Sequence, residues 1–265
     1  MWIEDLQRLR REELIGGEIY FFPEIDSTNR KAHDLARQGL REGTVVMADS
    51  QSQGRGRMGR LWESPPGLNV YASVILRPAI PPSSASQLTL LAGVAAANSL
   101  AKASGMETRI KWPNDIFLHE KKVAGILSEM EAGRSGVRFV ILGMGINVGW
   151  RKEDIPQDLR GVATSLLAEG AEGISRTAVA AAVFAELEQE YRFFVEQGFS
   201  PRLREEWNRL SWVNGKDVAV NGPEGEIRGR ALGLDTDGAL LILDGQGETH
   251  RFLAGDVSLR TTEKG

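Results

Sequence analysis

The chain has 265 residues, a formal net charge of −4 at pH 7, 42% hydrophobic and 26% charged residues, and no cysteine. The length allows one large globular domain, or a large and a small one. The acidic balance argues against dedicated nucleic-acid binding, and the missing cysteines exclude disulfides, thiol catalysis and Cys-ligated zinc. The charged N-terminus has no apolar signal segment, and the longest apolar run, Leu88 to Ala101, is too short for a membrane span. We therefore expect a soluble, cytoplasmic protein that does not contact the membrane.

The part of the chain before residue 214 shows a mixture of helix and strand patterns. Helical spacing and helix-end signals predict helices at residues 3–14, 88–103 and 177–196, and from Ser200-Pro201 onward. A further helix is predicted between the cap residues Ile25–Asn29 and its stop at Gly39. Apolar runs and alternation predict strands at 18–22 (which Pro23 should end), 44–48, 69–77, 109–111, 116–119, 122–131 and 137–141. The last two strands should form a hairpin around Gly133–Gly136.

Residues 214–265 have a different texture. Short β segments alternate with Asn-Gly and Asp-Gly pairs, and no helical pattern occurs. This predicts a small β-barrel or sandwich. The sequence thus predicts an α+β protein with a domain at 1–213 and a small all-β domain at 214–265.

Ser50 to Trp62 reads S-Q-S-Q-G-R-G-R-M-G-R-L-W, in which glycines and arginines alternate. Glycine lets a backbone approach a ligand closely, and arginine offers a planar charged fork that matches carboxylate and phosphate oxygens. The pattern indicates a mobile loop that folds over an anionic ligand. A solvated basic loop, or an RGG-like nucleic-acid contact, explains this loop alone equally well.

Further polar stretches stand at predicted element ends. Asp26–Asn29 offers short donors and acceptors at a helix N-terminus, as an ordinary N-cap also would. Lys111–Asp115 places a cation, an aromatic ring and a carboxylate on one turn, which favours a function. Lys121–Leu127 opens with a basic pair and continues through small residues, consistent with either a ligand contact or a charged strand entry.

The familiar nucleotide and metal motifs are missing. Gly143–Val148 ends in Val148 where a dinucleotide-binding G-x-G-x-x-G needs its third glycine. The one Gly-Lys pair, Gly215-Lys216, lies in the predicted β domain and does not complete a Walker A motif. We predict no protein-built metal site, because the histidines are scattered: His33, His119 and His250.

Taken together, these stretches resemble the biotin protein ligase family. The blocks I-D-S-T-N, Q-x-x-G-R-G-R-x-G-R-x-W, K-W-P-N-D, K-[KR]-[VIL]-A-G-I-L and G-x-G-[IL]-N-[VM] occur in the family's order and spacing, from Ile25 to Val148. Five ordered blocks are far more specific than a single motif. The resemblance implies a mixed-sheet catalytic domain of the biotin/lipoate ligase type, followed by a small SH3-like β-barrel domain.

The resemblance also implies a two-step reaction. The carboxylate of biotin attacks the α-phosphate of ATP to give biotinyl-5′-AMP and pyrophosphate, with Mg²⁺ arriving on the triphosphate. A lysine of a biotin carboxyl carrier protein domain then takes the biotinyl group. Because like charges oppose the first step, cations that bind the developing phosphorane should accelerate it.

Site residues follow from the same resemblance. Arg57 and Lys111 would act at the carboxylate–phosphate junction, and Asp115 would orient the acceptor amine. Biotin would be bound by Ser27, Thr28, Asn29, Gln51, Gly54, Arg55, Gly56, Arg57, Lys122 and Gly125. ATP and the adenylate would be bound by Arg55, Arg57, Arg60, Trp62, Lys111, Asn114 and Asn147.

Three other functions remain open at this point, one of them a biotin-sensing protein that forms the adenylate but transfers biotin poorly. A lipoate–protein ligase would share the adenylate chemistry, although that family lacks G-R-G-R-x-G-R. A nucleic-acid-binding module using the Gly–Arg loop is a different class. Only about two dozen residues precede Ile25, too few for the DNA-binding domain of some family members, so we expect a monofunctional ligase without DNA binding. A homodimer is possible by resemblance.

Overall fold

The structure is a computed structural model that describes residues 2–11, 13–133, 136–222 and 225–259. The helices in these ranges are α1 (Trp2–Arg10), α2 (Thr28–Arg37), α3 (Gln87–Ser104), α4 (Arg176–Gln197) and α5 (Pro201–Leu210). None of these helices is long and apolar enough to cross a membrane. The first strands are β1 (Ile19–Ile25), β2 (Val45–Gln51), β3 (Val70–Leu76), β4 (Thr108–Lys111), β5 (Asp115–Leu118), β6 (Lys121–Gly133) and β7 (Gly136–Ile146). The later strands are β8 (Asp217–Gly222), β9 (Gly225–Leu234), β10 (Leu240–Asp244), β11 (Thr249–Phe252) and β12 (Asp256–Leu259).

Strands β1 to β7 form one mixed sheet, in the order β1-β2-β3-β7-β6-β5-β4. Strands β1 and β2 are parallel, and the other neighbouring pairs are antiparallel. The α+β fold with a mixed sheet that the sequence predicted is therefore confirmed. Two residues of the predicted β6–β7 turn, Arg134 and Ser135, lie outside the described residues.

The two faces of this sheet are covered by different helices, because successive side chains on a strand point to opposite faces. On β2, Val45 and Met47 belong to the large core that includes α3 and α4, whereas Val46 belongs to a smaller cluster with α2. On β7, Phe139 and Ile141 belong to that α2 cluster. Every second residue of β7, counted from Phe139, therefore faces α2.

Strands β8 to β12 form a separate antiparallel sheet, in the order β11-β10-β9-β8-β12, which agrees with the expected SH3-like domain. Its buried side chains Val218, Val220 and Leu240 join the same apolar core as α3 to α5. The connecting segment is also fixed, since Trp212 N donates to Ile110 O at 2.8 Å. The small sheet is thus packed against the larger part of the chain. The division at residues 213 and 214 stays a prediction.

Several element ends differ from the sequence predictions. Pro23 does not end β1, which continues to Ile25; β1 is an outermost strand, where a missing backbone donor is tolerated. Strand β7 extends to Ile146 instead of stopping at Ile141, so the glycine-containing stretch after it is also strand. Helix α1 ends at Arg10, several residues before its predicted end.

Candidate functional site

Glycines in the middle of the large sheet open a cavity on the face that carries α2. Gly143 and Gly145 occupy two successive α2-facing positions of β7, and Gly125 of β6 pairs directly opposite Gly145. A Cβ on Gly143 would lie 1.9 Å from Asn29 Oδ1, and one on Gly145 would lie 2.3 Å from Trp62 Cε2. The missing side chains leave the space that Asn29 and Trp62 enter from above.

One end of the cavity, which we call the neutral end, is lined by Ser27, Thr28, Asn29 and Gln51. The buried Ser73 supports it from outside the lining, within hydrogen-bond distance of Thr28 and Asn29. Asn29 Oδ1 accepts from Ser73 Oγ at 2.6 Å. Asn29 Nδ2 donates to the main-chain oxygen of residue 127 at 3.3 Å and to the carboxylate of residue 129 at 2.8 Å. Since an amide nitrogen has two protons, Asn29 has no donor left and can offer a ligand only an acceptor lone pair.

The side-chain amide of Gln51 is also fixed by hydrogen bonds to the protein. Its Oε1 accepts from Thr28 N at 2.9 Å and from Thr28 Oγ1 at 3.0 Å, and its Nε2 donates to Ser64 Oγ at 2.9 Å. These bonds fix the orientation of the Gln51 amide. Ser27 stands at the N-cap of α2, yet its side chain makes no capping bond. The predicted alternative, an ordinary side-chain N-cap, is therefore not what Ser27 provides.

The Gly–Arg loop, Gly54 to Trp62, folds over the cavity. Backbone bonds from Gly56 N to Arg60 O (2.7 Å) and from Trp62 N to Gly54 O (2.9 Å) give it a compact shape. Gly54 is required for close approach, because a Cβ there would lie 2.3 Å from Trp62 O. Met58, with φ +55°, forms the exposed tip. The base of the loop thus lies against the sheet, while its tip at residues 58–61 is exposed.

The first loop arginine is anchored on the large sheet. Arg55 Nη1 lies 3.0 Å from Glu129 Oε1. Glu129 is on β6, and its other oxygen accepts from Asn29. Arg55 therefore contacts the same carboxylate that fixes the neutral end.

The other two loop arginines are anchored on the small sheet. Arg57 donates to Asn114 Oδ1 and to Gly255 O, both at 3.1 Å. Arg57 and Arg60 also form ion pairs with Asp256, the first residue of β12. The C-terminal sheet thus contributes a carboxylate to the cavity.

Lys122 and Asp115 form an ion pair inside the cavity. Lys122 Nζ lies 2.7 Å from Asp115 Oδ1, although this oxygen has no hydrogen bond of good geometry. The ammonium also lies 5.0 Å from the centre of the Trp62 ring, where a cation is attracted by the ring face. Together with the loop arginines, Lys122 and Asp115 make up what we call the charged end of the cavity.

Lys111 lies in a neighbouring cleft of about 210 Å³ between the two sheets. Its ammonium is 5.5 Å from the centre of the Phe117 ring and 5.7 Å from that of Trp212. Burial lowers the pKa of Lys111 below its usual 10.5, and the charges of Asp115 and Asp256 partly oppose this shift. Asp115 lines both the cleft and the cavity, so the two spaces adjoin.

The two predicted asparagines differ in position. Asn114 lines the cavity, with Nδ2 donating to Ile126 O at 2.8 Å and Oδ1 accepting from Arg57. Asn147 is only 2% exposed and donates to Thr164 O at 2.9 Å. Its Oδ1 is buried without a hydrogen-bond partner among the described residues.

Most of the predicted site residues share one cavity of about 120 Å³. Its lining includes Ser27, Thr28, Asn29, Gln51, Arg55, Gly56, Arg57, Arg60, Trp62, Asn114, Asp115, Lys122 and Gly125. The predicted residues outside this lining are Gly54, Lys111 and Asn147. The roles assigned to all of these residues stay predictions.

Sequence analysis missed several contributors to the cavity. Gly143 would have been found by continuing the strand alternation of β7 past Ile141. It takes the α2-facing position that follows two large residues, Phe139 and Ile141. Ser73 is a fully buried hydroxyl in an otherwise apolar strand, a signal that went unused. Glu129 gave only the weak signal of a charge within a strand. Asp256 gave none, because 199 residues separate it from Arg57.

Comparison with known protein families gives two matches. Residues 21–147 match the model of the "Biotin/lipoate A/B protein ligase family", and residues 214–260 match that of the "Biotin protein ligase C terminal domain". The first range contains almost all of the cavity lining, and the second contains Asp256.

Relatives and solved structures resemble nearly the whole chain. The "Bifunctional ligase/repressor BirA" of Bacillus subtilis is 39% identical over 249 residues, 94% of this chain and 76% of the relative. The "Biotin--[acetyl-CoA-carboxylase] ligase" of Mycobacterium tuberculosis is 33% identical over 262 residues, 95% and 94% of the two chains. The structure "Biotin protein ligase from Aquifex aeolicus in complex with biotin and ATP" superposes with a TM-score of 0.78 at 31% identity, covering 92% of this chain and 99% of the other.

Proposed function

Because this chain belongs to the biotin protein ligase family of ATP-dependent ligases, we propose that its cavity makes biotinyl-5′-AMP and passes the biotinyl group to a carrier lysine. One observation supports this assignment above the others. A single cavity joins a neutral polar end to an end built from cations. Biotin has the same polarity, with a neutral ureido ring at one end and a carboxylate at the other.

The neutral end suits a ureido ring. The ring carries two N–H donors and one carbonyl, and a buried group of this kind must be fully hydrogen-bonded. Asn29 can accept through Oδ1 but cannot donate. Ser27, which makes no capping bond, keeps its hydroxyl for the ligand. Thr28 and Gln51 already bond to each other and act mainly by holding this wall in shape.

The charged end suits the reacting groups. Lys122 would be shared between Asp115 and the incoming carboxylate, which holds the acid's oxygen near the α-phosphate. As that oxygen bonds to the α-phosphorus, the bond to pyrophosphate breaks and negative charge grows on the phosphoryl oxygens. Arg57 and Lys111 would stabilise this charge and align the triphosphate, since preorganised cations lower the barrier of such a step.

Mg²⁺ fits this site as a partner of the triphosphate and not as a metal held by the protein. The two carboxylates in the cavity lining are already paired with cations: Asp115 with Lys122, and Asp256 with two arginines. Glu129, outside the lining, is paired with Arg55. When bound, Mg²⁺ would neutralise phosphate charge. Among the described residues, the one cluster with three closely spaced ligand atoms is Asp244, Glu248 and His250, outside the cavity lining.

The second step needs a neutral amine and a dry mixed anhydride. The acceptor nitrogen attacks the acyl carbon, the carbon–oxygen bond to AMP breaks, and the amine gives up a proton. Asp115 would orient the amine and receive that proton, because an ammonium ion cannot attack. The folded Gly–Arg loop would keep water from the adenylate. We propose a biotin carboxyl carrier protein domain as acceptor.

Neither a lipoate ligase nor a nucleic-acid module is favoured. The Mycobacterium tuberculosis relative and the Aquifex aeolicus complex are described by their names as biotin ligases and not as lipoate ligases. The loop arginines line the cavity and pair with carboxylates there, whereas a nucleic-acid module would keep them for phosphate contacts. We also propose a cytoplasmic location and a homodimer joined through a free outer strand of the large sheet. Sedimentation with and without biotin and ATP would test the dimer.

The first test is pyrophosphate release by the pure protein with ATP and Mg²⁺. We expect release with biotin and none with lipoate, followed by biotinylation of a carrier domain when one is added. Release without any acid would be background hydrolysis. Release with neither acid would overturn the assignment, and release with lipoate alone would favour the lipoate alternative.

A further inference from the structure

We propose that Glu129 is a positioning residue that couples occupancy of the neutral end to closure of the Gly–Arg loop. This role presupposes the proposed function only in that a biotin-like ligand occupies the neutral end. Glu129 lies on β6 and was not among the residues that the sequence assigned to the site. It touches no reacting atom, and it acts through Asn29 and Arg55.

The two oxygens of Glu129 serve two different parts of the site. Oε2 accepts from Asn29 Nδ2 at 2.8 Å. Oε1 lies 3.0 Å from Arg55 Nη1. One carboxylate thus links the first turn of α2 to the first arginine of the loop.

The surroundings of Glu129 favour this fixed geometry. Glu129 pairs across the sheet with Ile141 and shares the α2 face with Leu127, so its side chain rises beside the cavity. Asn29 is 4% exposed and uses both of its amide protons in the protein. The Glu129 side chain is 30% exposed and that of Arg55 is 45% exposed, so solvent partly screens their ion pair and Arg55 can leave when the loop opens.

Coupling follows from the limited freedom of the Asn29 amide. If Asn29 rotates, it loses bonds to Ser73, to Glu129 and to the strand at once. A ligand that bonds to Asn29 Oδ1 holds the amide in the orientation that keeps Glu129 facing Arg55. By thermodynamic reciprocity, loop closure raises the ligand affinity by the same factor by which ligand binding raises the closed-to-open equilibrium constant of the loop.

The same strand offers a matched control. Glu131 stands two residues after Glu129, on the same face, and is paired with Arg37 and Arg138, each at 2.7 Å. Neither glutamate belongs to the cavity lining. Replacing either glutamate by glutamine removes one charge from a paired, partly exposed carboxylate on β6, but only Glu129 contacts the loop.

The experiment compares the full-length protein with Glu129→Gln and Glu131→Gln. Glutamine can still accept from Asn29, so the main loss is the ion pair with Arg55. We expect Glu129→Gln to raise the biotin KM about two- to tenfold while kcat at saturation changes less than about twofold. In the ligand-free protein, trypsin should cleave the Gly–Arg loop several-fold faster than in wild type, and biotin should protect it less. Glu131→Gln should match wild type in each measurement.

A double-mutant cycle isolates the pair. Arg55→Gln alone should raise the biotin KM by a similar factor, and Arg55→Gln combined with Glu129→Gln should be no worse than either single variant. Additive effects would show that the two residues act separately, which overturns the coupling.

Three further outcomes would also test the proposed role of Glu129. Loop cleavage and biotin KM that are equal in Glu129→Gln and Glu131→Gln would overturn the role of Glu129. A melting temperature lowered only in Glu129→Gln, with unchanged loop cleavage, would assign it a purely structural role and overturn the coupling as well. If the wild-type protein binds no biotin, the proposed function fails and the coupling fails with it, whereas faster ligand-free cleavage in Glu129→Gln would still support its hold on Arg55.

Discussion

The two ends of the cavity are built on opposite principles. At the neutral end, Asn29, Gln51 and Ser73 are bonded to other protein groups even without a ligand. At the charged end, Arg57 and Lys122 are paired with carboxylates that a ligand's own negative groups could replace. The neutral end is thus preorganised before a ligand binds, whereas the charged end is held by ion pairs that a ligand can replace.

The difference reflects the chemistry of each end. A neutral ring gains little from any one bond, so its wall must be preorganised to keep the entropy of ordering low. A bare cluster of cations would repel itself and open the loop, and carboxylates remove that repulsion. A phosphate or carboxylate can then take over an existing ion pair. We therefore expect substitutions at the neutral end to change biotin affinity, and those at the charged end to change reaction rate or ATP affinity.

The largest effect is expected for Arg57→Ala. Arg57 contacts Asn114 and Gly255 and belongs to the charged end. Removing a preorganised donor for developing charge costs about 2.7–4 kcal/mol, a fall of roughly 10²–10³ in adenylation rate. Biotin-dependent pyrophosphate exchange would measure this loss, and calorimetry should show a much smaller change in biotin binding.

Arg37→Ala provides the control for Arg57→Ala. Arg37 is an exposed arginine at the end of α2 that pairs with Glu131, and neither residue lines the cavity. Its loss should therefore leave the exchange rate within about twofold. If Arg57→Ala kept its adenylation rate but lost biotin affinity, the charged end would govern biotin binding and not reaction rate, contrary to our expectation.

Gly143→Ala should produce the largest change at the neutral end. The added Cβ would lie 1.9 Å from Asn29 Oδ1 on a strand that cannot easily move, so Asn29 must leave its position. We expect biotin affinity to fall roughly 10- to 100-fold and stability to fall by about 1–3 kcal/mol. Calorimetry with biotin and thermal unfolding would measure the two effects.

Gly161→Ala is the matched control, because no atom lies within 4 Å of the Cβ it adds. That variant should bind biotin like wild type. Unchanged biotin affinity in Gly143→Ala would show that Asn29 does not form the neutral end that the geometry indicates.

The pH dependence of adenylation should report on Lys111. Burial lowers the pKa of this ammonium below 10.5, so the charged form is lost at a lower pH than in an exposed lysine. If the charge is needed, the rate should fall on the alkaline side of its profile. Lys111→Arg keeps its charge throughout this range, so we expect about a tenfold lower rate at neutral pH but an alkaline decline displaced to higher pH.

Lys102→Arg controls for a general effect of lysine replacement, since Lys102 is exposed and pairs with Glu186. Its profile should overlay that of wild type. An alkaline decline at the same pH in wild type and Lys111→Arg would show that another group causes it.

Much of the fold was predictable because its signals are local. The period of apolar residues found α3 and α4, and the change to Asn-Gly and Asp-Gly pairs found the small sheet. The errors arose where tertiary context overrides local pattern. Pro23 can lie within β1 because β1 is at the edge of the sheet. The position of a strand in a sheet cannot be read from the local sequence.

The site was predictable to the extent that its residues cluster in the sequence. Thr28, Gln51, Arg57 and Lys122 lie in short, unusual stretches. Lys111 also lies in such a stretch, but spacing alone could not show that its side chain enters a separate cleft. Partners supplied by other strands carry a weak local signal or none. These are Ser73, Glu129 and Asp256.

Asp256 gives the smallest expected effect and tests whether the charged end is exchangeable. It pairs with Arg57 and Arg60, and its side chain is 30% exposed, so each ion pair is partly screened by solvent. Asp256→Asn should change the ATP KM by about two- to fivefold and leave the biotin KM unchanged. The difference from wild type should shrink as salt is raised, because screening weakens exposed charge pairs. Asp217→Asn, an exposed aspartate at the start of neighbouring β8, controls for charge loss on the small sheet. A biotin KM that rises with the ATP KM would mean that Asp256 holds the whole loop, and the two ends would then open together.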